Sequence, residues 1–297
     1  MDIEHLKSQI PAMDALSLRP ISGLTRVQIW RHTLPHSLPR PSLLWFVRGN
    51  ARLIIEGRAI GIGPNVCVTL PAQTAFAIEP GTQTQATLVQ LPTSPLLPMP
   101  EGIHLIRVHD IASQGELSGL LDRIGTGQAK GGPGADRAAL ARTMLVSAML
   151  ERLTGPETLH LPQSAPQRLS ARFAQEVEQC YATGATLNDI GDVLGVTPTH
   201  LTRTFKSTCG MTAARYLGDR LMHAARSELI DTSNSAAEIA RDLGFSSPAY
   251  FSRAFLHHAG ETPGTFRTRG RPALRQPDVA SVKTRPTQSD QNVSVMG

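Results

Sequence analysis

Three cysteines, Cys67, Cys180 and Cys209, are all that 297 residues contain, and they are far apart and odd in number. That excludes a disulfide framework and a zinc-type CxxC pair. They read as small buried hydrophobes in a reducing compartment. Aromatic content is low, at 4%. No apolar run approaches the roughly 18 residues that a membrane-spanning helix needs. The opening MDIEHLKSQIPAMDALSL carries acidic residues and no apolar stretch of the export type. The expectation is a cytoplasmic protein with no membrane partner. There is also no HxH pair. His32 and His36 lie four apart in the Pro-rich RHTLPHSLPRP, where they share no helical face, so they read as surface or loop histidines. The Gly-rich GTGQAKGGPG follows no strand and lacks GK[ST], so it reads as a flexible connector and not as a phosphate cradle. No metal, no cofactor and no catalytic residue is expected.

Charge is distributed unevenly. The net is +5, but residues 168–268 hold 10 basic and 10 acidic side chains, while 269–297 hold 5 and 2. A uniformly basic stripe would suggest nonspecific phosphate binding. A neutral region has to act through where its charges sit.

What is present is one pattern written twice. The first copy runs from Thr186 to about Arg215, the second from Ser235 to about Arg267. Ile190 answers to Ile239, Gly195 to Gly244, Arg203 to Arg253, Phe205 to Phe255 and Gly210 to Gly260, with one residue inserted in the second turn. Each copy reads as a short helix, a Gly-containing turn and a second helix, the plan in which the second helix enters the DNA major groove. In the first copy Thr186 is an N-cap with Asp189 three residues on. Leu187, Ile190, Val193 and Leu194 form the apolar stripe, and Thr197 with Pro198 opens the second helix. Leu201 and Phe205 then face inward, leaving Thr199, Thr202, Arg203 and Lys206 outward. In the second copy Ser247 caps, Pro248 follows, Phe251 and Phe255 anchor, and Ala249, Ser252 and Arg253 project. Arg can bond guanine bidentately and Thr can meet a thymine methyl, whereas Lys206 suits a phosphate. Between the copies, Thr212 to Ile230 reads as one long helix with Ala214, Leu217, Leu221, Ala225 and Leu229 inward. Such a helix fixes the separation of the two units.

Upstream, the runs VQIW, LLWFV, ARLII, VCVTL, AFAIE and ATLVQL, separated by RGN, EGR, GIGPN, LPAQ and EPGTQ, predict short strands of an all-β barrel or jelly roll. Helical periodicity follows over 115–124 and 136–154, the second a candidate either to pair with another copy or to cover the barrel. Residues 155–167, with three prolines, read as a linker. The tail from 269 to 297 is expected to be disordered.

The segments HLTRTFK, AAEIARDLGF, SSPAYFSRAF and GETPGTFR resemble the DNA-binding domain of the AraC/XylS family of bacterial transcription regulators. The stretch RPSLLWFVRGNARLIIEGRAIGIGPNVCVTLPAQ resembles, more loosely, that family's cupin-like N-terminal barrel. The resemblance implies an α+β multidomain chain. Residues 1–154 would form a cupin-like sensing and dimerisation domain, 155–167 a linker, 168–268 an all-α tandem helix-turn-helix domain, and 269–297 a tail. It implies promoter DNA, RNA polymerase, a small-molecule effector and a second copy of the chain as partners, and activation as the outcome. It places Thr199, Thr202, Arg203, Pro248, Ala249, Ser252 and Arg253 at the bases. Two departures stand out: Gly191 occupies a site where Ala is common in the family, and Leu256 one where Lys is. Trp30, Trp45, Phe46 and Phe76 are candidates either to line an effector pocket in the barrel or to fill its core, and Arg26, Arg31, Arg48, Arg52 and Arg58 either to meet an acidic effector or to lie on exposed strand faces. A catalyst built on the barrel would need an HxH-type ligand set, which is absent, so no enzyme is expected.

Overall fold

The computed structural model describes residues 16–21, 28–95, 97–154 and 164–275. Its strands are β1 (Ser17–Pro20), β2 (Ser42–Arg48), β3 (Ala51–Ile55), β4 (Arg58–Ile62), β5 (Val66–Leu70), β6 (Phe76–Pro80), β7 (Gln85–Gln90) and β8 (His104–Arg107). They form two antiparallel sheets, one in the order β1-β7-β2-β5-β8 and one in the order β4-β3-β6. The two sheets face each other, and neither strand order returns to its first strand.

The apolar runs are explained by what lies on each face. Successive side chains of a strand point to opposite faces. In β2, Leu44 and Phe46 meet Val68, Leu88, Leu53, Phe76 and Ile78 in the core between the sheets. Leu43 and Trp45 point the other way, into a second core with Cys67, Val89 and Ile106. That second core is covered by a helix pair, α2 (Ile111–Lys130) and α3 (Ala135–Leu153), through Leu117, Leu121, Ile124, Val146, Met149 and Leu150. A strand buried on both faces has no polar alternation, which is why LLWFV is continuously apolar and VCVTL is so except at the buried Thr69.

Three expectations are corrected. In VQIW the described residues form no strand: residues 28–29 turn, and Trp30–Thr33 is a short helix, α1. The Gly-rich connector is mostly helical, because α2 continues to Lys130 and the chain reverses only at Gly131, Gly132 and Gly134, all at positive φ. The presumed tail begins as helix, since the last helix runs to Arg275. Most of the linker and the rest of the tail lie outside the described residues.

The helical part comprises α4 (Ala165–Cys180), α5 (Leu187–Leu194), α6 (Pro198–Cys209), α7 (Ala213–Asp231), α8 (Ala236–Asp242), α9 (Pro248–Ala259) and α10 (Pro263–Arg275). It packs directly on the small sheet. Ile54 of β3 and Ala75 and Ala77 beside or in β6 share one apolar core with Phe173, Ile190, Leu201, Phe205 and Tyr216. The β3–β4 hairpin turns on Glu56 (φ 46°) and Gly57 (φ 68°), positive at both central residues as a tight hairpin requires. A Cβ on Gly57 would meet the Phe205 ring and, at 2.8 Å, the Ser170 carbonyl oxygen. Thr208 Oγ1 donates to the Gly57 carbonyl at 3.0 Å. Trp30 leaves the sheets altogether and enters the core of the second repeat beside Phe266 and Met222.

His32 and His36 are also corrected, being buried and not at the surface. The His36 ring stacks on that of His223 from α7, with centroids 4.5 Å apart. Burial is the main cause that lowers all three: His36 to about 3, His32 to about 4, and His223 well below the ordinary imidazole range. Arg19, Arg31 and Arg220 add repulsion, while the Leu34 and Arg31 carbonyls act in the opposite direction. A base with depressed affinity in the folded state binds fewer protons there than when unfolded. Its contribution is therefore intact above about pH 6.5 and is lost as pH falls toward the folded values. Each group adds a slope of up to about 1.4 kcal/mol per pH unit. Denaturant unfolding is expected to give a constant free energy from about pH 8 to 7 and a steady decline below about 6.5. Stability unchanged down to about pH 5 would contradict the buried, uncharged state of these rings.

Candidate nucleic-acid interface

Local sequence builds each helix-turn-helix. Thr186 Oγ1 accepts from the Asp189 amide at 3.4 Å, and Asp189 Oδ2 accepts from the Thr186 amide at 2.8 Å, a reciprocal cap for α5. Ser235 and Glu238 repeat it for α8 at 3.2 and 2.7 Å. Gly195 (φ 70°) and Gly244 (φ 73°) hold the left-handed turn residue that ends each first helix. Thr197 then caps α6 and Ser247 caps α9, each with proline at the first helical position. Between Gly244 and Ser247 stand Phe245 and Ser246, where the first copy has Val196 alone between Gly195 and Thr197; that is the inserted residue. Gly191 has a steric reason: a Cβ there would lie 2.8 Å from the Val196 carbonyl oxygen in the turn. The helix accepts glycine's cost of about 1 kcal/mol relative to alanine because the turn passes so close.

Leu201 and Phe205, and likewise Phe251 and Phe255, are fully buried. That orientation sends the opposite faces of α6 and α9 to solvent. Thr199, Arg203 and Lys206 are exposed and Thr202 is half-buried, and these four with Pro198 border one open hollow on the surface. On α9, Pro248, Ala249 and Arg253 are exposed and Ser252 is half-buried. Leu256 stays exposed, so the second helix presents a more apolar outward face than the first. The sheets contact α6 from its buried side, through Phe205, Thr208 and Cys209, and leave the outward face clear.

The bridging helix α7 joins the two units by charge as well as by packing. Arg220 Nε donates to Glu178 Oε1 of α4 at 2.7 Å, with the Arg220 side chain 8% exposed and that of Glu178 10%. The same guanidinium lies 3.7 Å from the centre of the Tyr181 ring. Asp219 Oδ1 meets His258 Nε2 of α9 at 2.7 Å. The phase of α7 differs from expectation at one point: Ala214 is exposed, and Ala213 and Tyr216 take the inward places. Neither Asp219 nor His258 was singled out from sequence; a polar pair linking a bridging helix to a recognition helix leaves no periodic signal.

The structure does not bring the four aromatic candidates for an effector pocket together. Trp45 belongs to the core under the helix pair, Phe46 and Phe76 to the core between the sheets, and Trp30 to the core of the second repeat. Each is at most 4% exposed. Among the described residues, no group of three or more His, Cys, Asp or Glu side chains is placed to hold a metal ion, and no helix is long and apolar enough to cross a membrane.

A helix-turn-helix domain family model matches residues 190–269. The chain is 32% identical over 95 residues to the bifunctional transcriptional activator/DNA repair enzyme AdaA of Bacillus subtilis, covering 32% of this chain and 45% of that one. It is 36% identical over 87 residues to the "Probable transcription factor PqrA" of Proteus vulgaris, covering 29% of this chain and 71% of that one. The crystal structure of ToxT from Vibrio cholerae aligns over 86% of this chain and 98% of that chain, at 11% identity and a TM-score of 0.39. The chain thus spans somewhat under half the length of AdaA and most of PqrA. With the twice-written motif folded as two capped helix-turn-helix units, the chain belongs to the AraC family of transcription regulators.

Proposed function

We propose that this protein is a sequence-specific DNA-binding transcription activator of the cytoplasm, not an enzyme, controlled through its N-terminal part by a small-molecule effector or by dimerisation. The observation that carries the proposal is the recurrence of one outward arginine, Arg203 and Arg253, on two recognition helices whose opposite faces are anchored by buried phenylalanines. Thr199, Thr202 and Arg203 read bases in one major groove, with Lys206 on phosphate. Pro248, Ala249, Ser252 and Arg253 read the next groove, where Arg253 is the main polar reader and the others offer apolar contact. Two grooves on one face of B-DNA are about 34 Å apart.

Residues 1–154 serve as the cupin-like sensing and dimerisation domain, 155–167 as the linker, 168–268 as the DNA-binding domain and 269–297 as a tail. The facing sheets support the cupin-like reading. A homodimer is supported by α3, where Ala141, Met144, Leu145 and Ala148 repeat at helical spacing along an exposed face. Promoter DNA is the partner of the helical part, and RNA polymerase follows from the family.

Arg203→Ala is expected to weaken binding to a selected DNA site by about 1–3 kcal/mol and to relax one base position. Titration of fluorescent cognate and random duplexes at one salt concentration checks it. Equal losses on both duplexes would defeat the base-reading role.

A further inference from the structure

The two helix-turn-helix units meet the N-terminal part in different ways. The first leans on a face of the small sheet, through Ile54, Ala75 and Ala77. The second receives one large side chain, Trp30 of the four-residue helix α1, which is 4% exposed and lies in that unit's core. A helix this short does not hold its shape alone. Its place is fixed by the Trp30 ring on His223 of α7, with centroids 5.4 Å apart, and by the Arg31–Asp231 ion pair at 2.9 Å.

Trp30 has two connections to the recognition helix α9. One is apolar: its ring packs on Phe266 of α10 at 5.9 Å between centroids, and Phe266 packs edge-on to Phe255 of α9 at 5.3 Å. The other is polar. The Arg226 guanidinium of α7 lies 5.8 Å from the centre of the Trp30 ring and 5.7 Å from that of Phe266. Arg226 Nη2 donates to His258 Nδ1 at 3.3 Å, and His258 Nε2 meets Asp219 Oδ1 at 2.7 Å. An arginine can only donate, so His258 Nδ1 is the accepting nitrogen and Nε2 carries the proton given to Asp219. Phe255 and His258 follow Arg253 on the same helix and fix the direction in which its guanidinium points. Docking leaves Trp30 Nε1 and Arg226 Nε buried without hydrogen-bond partners among the described residues. The contact therefore rests on ring packing and on the cation beside the rings.

We propose that Trp30 is a positioning residue for the second recognition helix. Held against Phe266 and Arg226, it sets α9 through Phe255 and His258, so that a side chain outside the DNA-binding domain governs how Arg253 meets the second DNA box. The first recognition helix is anchored in the other core, where Phe205 packs on Phe173 and Tyr216, and keeps its reading without Trp30. The effect on DNA rests on the base-reading proposal above; the coupling of α1 to α9 does not.

The test uses the full-length protein and reads the two recognition helices separately. Amide exchange is followed without DNA in residues 198–209 and 248–259. Trp30→Ala is expected to speed exchange in 248–259 about tenfold or more and to leave 198–209 within about twofold. Trp30→Phe keeps a ring and removes the unpaired N–H, and is expected to exchange like the wild type. Affinity is then measured on a duplex from genomic selection that carries both boxes, and on two derivatives with one box scrambled. Trp30→Ala is expected to lose about fivefold or more wherever the second box is intact, and less than about twofold where only the first remains. His258→Ala, at a half-buried position, serves as a second variant should Trp30→Ala not fold, and is expected to show the same split. Equal acceleration in both helices, no acceleration in either, or unchanged affinity of the variants for a second box that the wild type reads would each overturn the proposal. An exchange split in a protein whose wild type ignores scrambling of the second box would instead sink the base-reading proposal and leave the coupling of α1 to α9 standing.

Discussion

Phe205→Ala is expected to cost about 3–5 kcal/mol of stability and to loosen the N-terminal sheets at the same time. The ring is fully buried. It packs edge-on to Phe173 at 4.8 Å and to Tyr216 at 5.0 Å between centroids, and it lies against Gly57 of the β3–β4 hairpin. Removing it empties a space that three helices and a hairpin line, and a backbone held by helix caps cannot collapse to fill it. Phe255→Ala is the control. That ring occupies the matching place in the second repeat, against Phe251 and Phe266, and does not share the core that holds Ile54 and Ala77. Both variants should unfold at lower denaturant. Only Phe205→Ala should speed amide exchange in residues 51–62. Equal exchange there in both would mean that the hairpin does not depend on this ring.

Arg220→Ala is expected to cost a similar amount, about 3–5 kcal/mol. The loss is not the value of the ion pair but the cost of leaving Glu178 charged and largely buried without its partner. Glu178 also accepts from Ser37 Oγ at 2.7 Å, so the stranded carboxylate sits where the N-terminal part meets α4. Arg220→Met combined with Glu178→Leu removes both charges at comparable volume. The double variant is expected to recover most of the loss, because a buried pair and its apolar replacement are often close in energy. Arg220→Lys should recover less, since lysine lacks the planar group that covers Tyr181. Additive losses in the double variant would show that the two residues act independently and contradict the pairing.

The helical part was largely legible because its signals are local. Thr186, Thr197, Ser235 and Ser247 announce helix starts; Pro198 and Pro248 follow them, and Gly195 and Gly244 stop the first helices. The sheet strands were legible where both faces are apolar, as in β2 and β5. Strands β1, β4 and β8 escaped, all of them short edge strands, and β4 runs through residues that had read as turns. VQIW has strand-like composition, yet Trp30 is used at long range, in the core of the second repeat. Short apolar runs do not by themselves distinguish these outcomes. The burial of His32 and His36 arises from segments far apart in the chain meeting at the junction of the two parts, and no spacing encodes that. Aromatic content misled for a related reason: with so few rings, Trp45, Phe46 and Phe76 fill cores.

The central claim is that two recognition helices on one chain read DNA sequence. It is tested most directly by selecting sheared genomic DNA from the source organism on the purified full-length protein, sequencing what is retained, and repeating the selection with Arg203→Ala/Arg253→Ala. The account predicts enriched fragments upstream of genes that share two short boxes about 10 base pairs apart, and loss of that enrichment in the double variant. Retained fragments with no common sequence, both for the full-length chain and for residues 168–297 alone, would contradict it.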